Sequence, residues 1–254
     1  MILYLDCLRG INAVSALAAL IDAGAPAGSI ADRVRPLPGT IELGLSETIV
    51  DGLRARTVEV AVAGIPDARR LEDAVRLIDA AELSERARTR LIGVYERLAT
   101  AEATVHGTTR EAVTFREVGS MRSVVAVIAL GSALDLLDVR EVVVSPLVVG
   151  GGVVETHHGR LSVPAPATLE LLREVPVRRA ATDGELLTPT GAALAAELAS
   201  SFGPMPSMTV ERIGYGTDDR RSPMPVTRAI AGPPAPDAAA AEETSRPPLT
   251  TPGR

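Results

Sequence analysis

The chain opens on Met1-Ile-Leu-Tyr-Leu-Asp6, and this stretch decides the fold class. Four apolar residues, Ile2 to Leu5, run without a break and end on a carboxylate. A short continuous apolar run of this kind predicts a strand covered on both faces. A helical pattern follows at once. Ile11, Val14, Leu17, Ala18 and Ile21 recur at spacings of three and four, and Gly24 is the stop. Val142-Val-Val144 is a second buried run. Strand, helix and a later strand of the same type predict an α+β fold, with a central mixed sheet and flanking helices.

Other signals extend this frame in both directions. Ile41, Leu43 and Leu45 alternate, and Asp51-Gly52 leads into the alternating run from Arg54 to Val62. Asp-Gly suits the positive φ angles of a tight turn, so a hairpin is expected there. Helices are expected over 67–81, over 84–106 with Ser84 as N-cap, and over 121–137. Gly150-Gly-Gly152 interrupts the pattern before a strand at 153–156. A short helix is expected at 168–172 and a strand at 175–178. Thr188 and Pro189 then open a helix running to Phe202. Residues 208–213 read as the last clear strand. From Gly232 the composition turns to Pro, Ala, Thr and Glu without periodicity. Residues 1–231 are thus expected to fold as one unit or two subdomains, and 232–254 to form a disordered tail.

Composition removes several function classes. Of 254 residues, 26 are basic and 32 acidic, giving a net charge of −6, and every basic side chain is Arg. An acidic balance without a basic block argues against a nucleic-acid surface. With three Tyr, two Phe and no Trp, stacking platforms for single strands are also missing. No apolar run is long enough to cross a bilayer, and the N-terminus lacks the basic start and cleavage site of a secretory signal. A lone cysteine, Cys7, permits no internal disulfide and points to a reducing cytoplasm.

The residues that can carry chemistry are few. His106, His157 and His158 are the only histidines. His106, placed after a helix, fits a surface or cap residue better than a ligand. His157 and His158, if extended, point to opposite faces and would rarely share a metal. Thr188-Pro-Thr-Gly191 sits where a helix start exposes unpaired N–H donors, which suits an anion or an ordinary cap equally. Gly150-Gly-Gly152 fits a break between strands better than a phosphate loop. Asp6, at a strand end, and Glu117, before a Gly, sit where mixed folds often place working carboxylates. Cys7 fits a small core residue better than a nucleophile.

Longer words of the sequence narrow the field. Ala101-Glu-Ala-Thr-Val-His-Gly107 is followed by Phe115-Arg-Glu-Val-Gly119, Ser145-Pro146 and Thr156-His-His-Gly159. Val163-Pro-Ala-Pro-Ala-Thr168, Gly184-Glu-Leu-Leu-Thr-Pro-Thr-Gly-Ala192 and Ile213-Gly-Tyr-Gly216 complete the series. In this order, over roughly Met1 to Gly232, they resemble the nickel-insertion proteins that finish the nickel-pincer nucleotide cofactor (the LarC family). The resemblance implies a chelatase-type lyase that installs nickel in pyridinium-3,5-bisthiocarboxylic acid mononucleotide, forming nickel–carbon and nickel–sulfur bonds. It implies use of CTP with manganese or magnesium. Carried over by motif, it implies catalytic roles for Asp6, Glu117 and Glu185, metal contacts for His106 and His158, and phosphate contacts for Thr188, Thr190 and Gly191.

The sequence also departs from the family pattern. The loop after Asp6 reads Cys7-Leu-Arg-Gly-Ile-Asn-Ala-Val14 and lacks the family's second acidic residue. The segment Gly64-Ile-Pro-Asp-Ala-Arg-Arg70 has no His where many members are His-rich. Around Glu117, positions that usually carry His, His and Asp are Thr114, Arg116 and Arg122. Arg cannot ligate a metal and repels a nearby cation. These changes imply a weakened metal site. The part that the resemblance assigns to CTP is not in this sequence, so a separately encoded C-terminal part is an expected partner. The alternative is a non-catalytic paralogue that binds a nucleotide-like ligand or a partner protein, with Arg116 and Arg122 as anion contacts.

Overall fold

The N-terminal apolar run is the middle of the sheet. All five residues of strand β1 (Ile2–Asp6) are buried. The structure, a computed structural model, describes residues 1–8, 10–64, 66–156, 159–218 and 226–236. After β1 come α1 (Ala13–Asp22), α2 (Ala27–Val34), β2 (Thr40–Val50), β3 (Leu53–Ala63), α3 (Leu71–Ala80), α4 (Glu85–His106) and α5 (Met121–Leu136). Then follow β4 (Glu141–Val144), β5 (Leu147–Val149), β6 (Val153–Thr156), β7 (Gly159–Ser162), α6 (Pro166–Leu171) and β8 (Val177–Arg179). The last elements are α7 (Pro189–Leu198), β9 (Ser201–Phe202), β10 (Arg212–Thr217) and β11 (Val226–Gly232).

The main sheet has the order β2-β3-β10-β11-β1-β4-β9. β1 pairs antiparallel with β11, Leu3 opposite Ala231, and parallel with β4, Leu3 opposite Val142. This mixed pairing among helices is the expected α+β class. β5 and β8 pair in parallel, and β6 and β7 form a small hairpin. The long hairpin turns at Asp51 and Gly52, with φ of 47° and 82°, as the Asp-Gly signal predicts.

Helix α1 lies directly on β10, and two glycines make that possible. A Cβ on Gly214 would stand 2.0 Å from the Ala19 carbonyl oxygen, and one on Gly216 would stand 2.1 Å from that of Ser15. The Gly-Tyr-Gly word of β10 is therefore a packing requirement. α5 is buried along most of its length and contacts α1, α2, α3 and α4. On the other face of the sheet, Ile2, Tyr4 and Val143 form a smaller cluster with Met208 and Ile230.

Several boundaries differ from the sequence reading. α2 was not expected, because the two Pro after it read as loop; Ile30 and Val34, four apart, are its buried face. The last strands are displaced. β10 starts at Arg212, and 208 makes only an isolated bridge to 234. β11 was missed, although it lies beside β1 in the sheet. α7 stops at Leu198, because Ser201 and Phe202 pair with Val143 and Val144 of β4. α3 begins at Leu71 because residues 67–69 bind the loop before α5. At the expected tail boundary, Gly232 closes β11, and the Pro233 carbonyl accepts from the Thr209 N–H at 3.0 Å. The expected tail from 237 onward lies outside the described residues.

Candidate functional site

α4 starts on Ser84, whose hydroxyl accepts the Ala87 N–H, and ends at His106 before a left-handed Gly107. The His106 Nε2 lies 3.4 Å from the Glu102 carboxylate, one turn earlier on the same face. A carboxylate on one imidazole nitrogen is also how metal-binding histidines are oriented.

The loop between α4 and α5 carries Glu117. Phe115 and Val118 are buried and anchor it. The Phe115 ring packs against Tyr95, with centroids 6.0 Å apart at 60°. Backbone bonds tie the loop to residues 67–69: Phe115 N–H donates to the Arg69 carbonyl at 2.7 Å, and Ala68 N–H to that of Gly119 at 2.8 Å. A Cβ on Gly119 would sit 2.0 Å from the Ala68 oxygen, so no other residue fits there without a shift. With 115 and 118 turned inward, Arg116 and Glu117 are exposed.

The third part is the segment leading into α7. Ile11 N–H donates to the Leu186 carbonyl at 3.2 Å, which fixes this segment beside the start of α1. Leu186 and Leu187 are buried, and Glu185 before them is half-buried. Thr188 caps α7 by accepting the Gly191 N–H at 3.1 Å.

These parts enclose two adjoining cavities. The first, about 640 Å³, is lined by His106, Glu102, Thr114, Arg116, Glu117, Thr156 and Glu185 among others. The second, about 360 Å³, is lined by Asn12, Glu117, Arg122, Glu185, Thr188, Thr190 and Asp218 among others. Glu117, Val118, Glu185 and Pro189 line both.

Of the residues expected to act, His106, Glu117 and Glu185 therefore share one cavity, and Glu117, Glu185, Thr188 and Thr190 share the next. Asp6 lines neither. Its carboxylate accepts from Leu8 N–H at 3.1 Å and pairs with the Arg228 guanidinium on β11, which raises the Arg228 pKa further above its ordinary value. Gly191 lines neither cavity. Its N–H is taken by the Thr188 cap, and a Cβ there would sit 2.2 Å from the Ile11 oxygen, so it serves close packing. His157 and His158 lie outside the described residues. Among the described residues, no three His, Cys, Asp or Glu side chains group closely enough to hold a metal ion. Cys7 is fully buried, and burial pushes its thiol pKa up, as a core residue's would be. Gly150-Gly-Gly152 lines neither cavity.

Sequence reasoning missed Glu102, Asn12 and Asp218. Glu102 carried a usable signal, since it stands four residues before His106. Asn12 also carried one, as a residue typical of N-caps before a helical run. Asp218 carried none, because the strand before it was placed elsewhere.

The nickel insertion protein family model matches residues 3–247. A Synechococcus elongatus protein, named provisionally as a nickel insertion protein, is 42% identical over 229 residues, covering 88% of this chain and 57% of that protein. A similarly named Geobacter metallireducens protein is 41% identical over 218 residues, covering 85% and 56%. The pyridinium-3,5-bisthiocarboxylic acid mononucleotide nickel insertion protein of Staphylococcus epidermidis is 37% identical over 219 residues, covering 86% and 55%. This chain thus spans about half the length of the curated relatives it matches. No solved structure matches it. No helix among the described residues is long and apolar enough to cross a membrane. The shared cavity words around His106, Glu117 and Glu185 fit the result of the comparisons: the chain belongs to the nickel insertion protein family.

Proposed function

We propose that this chain holds a pyridinium bisthiocarboxylate mononucleotide and takes part in inserting nickel into it. Nickel is the cargo of this reaction. The carrying observation is that Glu117 and Glu185 line both cavities, with His106 on one side and Thr188 and Thr190 on the other. In this reading His106 and Glu117 meet nickel in the first cavity, where imidazole and carboxylate donors suit a borderline cation, and His158 is a further ligand by resemblance alone. Glu185 stands between the two ends of the substrate. Thr188 and Thr190 face its phosphate, and Gly191 acts through packing.

CTP with manganese or magnesium, and a separately encoded C-terminal part, belong to the same proposal. We assign those cofactors to the further length seen in the relatives, of which this chain covers about half. We place the protein in the cytoplasm, where a lone Cys7 stays reduced.

A second reading keeps the ligand and drops the insertion. It is favoured by Arg116, which adds a positive charge to the cavity where nickel would sit. The deciding experiment supplies nickel, CTP, manganese and a C-terminal part from a relative to this chain, and follows nickel transfer to the mononucleotide by metal analysis. Transfer that falls in His106→Ala and Glu117→Gln supports insertion. Ligand binding without transfer supports the second reading.

A further inference from the structure

Resting on the mononucleotide reading, we infer that the second cavity is a ribose-phosphate site, and that its shape assigns each end of the ligand. Three helices, α1, α5 and α7, begin on its wall. In each, the N-cap side chain takes the N–H at the third position: Asn12 from Ser15, Ser120 from Ser123, and Thr188 from Gly191. Met121 N–H is taken by Asp67, and Pro189 has none. Among the described residues, the remaining first-turn donors are the N–H groups of Ala13, Val14, Arg122 and Thr190. None of the three first turns contains an acidic residue. Their dipoles place partial positive charge at the cavity wall, which suits a phosphate.

Two side chains point independently to a ligand. Thr190 is 5% exposed and lines this cavity, and its hydroxyl has no hydrogen-bond partner among the described residues. Arg122 also lines it, without an ion pair or side-chain hydrogen bond among the described residues. A cation in the first turn of a helix is placed against the dipole, and an anion in the cavity relieves that conflict.

The carboxylate of Asp218 specifies the rest. One oxygen accepts from the Asn12 amide at 2.8 Å. The other, Oδ1, is buried without a hydrogen-bond partner among the described residues. A buried acceptor of this kind calls for a donor, and a phosphate dianion has none to give. Ribose hydroxyls do. Phosphate on the helix starts with Arg122 and Thr190, and sugar hydroxyl on Asp218, together describe a ribose 5-phosphate. The ring it bears then faces the first cavity across Glu117 and Glu185.

The test titrates the full chain calorimetrically with ribose 5-phosphate, inorganic phosphate and ribose. Ribose 5-phosphate is expected to bind more tightly than either fragment. Arg122→Gln and Thr190→Val should each weaken it about tenfold, the size of one charge-assisted or buried hydrogen bond. Thr190→Ser should restore it, and Arg140→Gln, a remote charge loss, should leave it unchanged. Asp218→Asn should weaken ribose 5-phosphate but not inorganic phosphate. Circular dichroism checks that each variant is folded. Ribose 5-phosphate binding no tighter than phosphate, absent altogether, or indifferent to Arg122 and Thr190 overturns the inference. Nickel transfer measured alongside separates the two proposals. Sugar-phosphate binding without transfer sinks insertion alone, and transfer that ignores Arg122 and Thr190 sinks this site alone.

Discussion

The two cavities meet at Glu117 and Glu185 but are built from opposite ends of helices. The first receives the C-terminus of α4, with His106 and Glu102 on its last turn. The second receives three helix N-termini. Helix C-termini favour cations and N-termini favour anions, by about 0.3–1 kcal/mol each when exposed and more when enclosed. The backbone therefore sorts charge before any side chain acts. A ligand that is anionic at one end and metal-binding at the other matches this division.

The strongest way to break the comparison is to release the loop that both cavities share. Phe115 is almost fully buried against Tyr95 and holds that loop. Phe115→Ala should cost about 3–5 kcal/mol, as other buried aromatic truncations do. Urea unfolding measures it. Nickel and sugar-phosphate affinities should fall together, because Arg116 and Glu117 lose their anchor. A loss below 1 kcal/mol, or a loss of one ligand only, would show that the loop is held from elsewhere.

A smaller change should separate the cavities. Gly191→Ala drives a methyl toward the Ile11 carbonyl, 2.2 Å away, and must part α7 from the start of α1. A cost of about 1–3 kcal/mol is expected, typical of overpacking. Ribose 5-phosphate binding should weaken more than nickel binding. Equal losses would mean that the second cavity is no separate unit.

The nickel side is expected to be weak in this chain alone. Arg116, a fixed positive charge, lines its cavity, and no group of three metal-holding side chains is found there among the described residues. Nickel should bind no tighter than about 1 μM, roughly −8 kcal/mol. His106→Ala should weaken it about tenfold, the range seen when an orienting or ligating group is lost. Calorimetry of metal-free protein decides. Tighter binding that survives His106→Ala would place the metal elsewhere.

Legibility followed periodicity. β1, α1, the Asp51-Gly52 hairpin, α4 and α5 were readable because apolar spacing and caps agreed there. β10 was not, because its glycines serve the contact with α1 and erase the strand signal. β11 was lost beside a Pro-rich boundary. For the site, residue type and position singled out His106 and Glu117, the resemblance added Glu185, and no spacing argument would have joined residues so far apart in sequence. Asp6 shows the converse: a good position in the sequence, but an ion pair with Arg228 in the structure. Arg122 was readable only as a charge. Its place among three helix starts depends on tertiary packing.

The smallest effect should come from the end of β1, which is closed where the cavities are open. Cys7 follows Asp6 directly and is fully buried. Its N–H donates to the Ser145 hydroxyl at 2.9 Å, so the residue is fixed at both backbone and side chain by the core. Burial and the neighbouring Asp6 carboxylate both raise its thiol pKa, while Ser145 opposes this less strongly. The thiolate is the reactive form, so a raised pKa and no access both suppress reaction. Iodoacetamide at pH 8 should label the folded protein at least about tenfold more slowly than the urea-unfolded chain. Mass spectrometry reads the modified fraction, and neither ribose 5-phosphate nor nickel should change the rate. Fast labelling, slowed by either ligand, would open the end of β1 to the site and return Asp6 to the reacting groups.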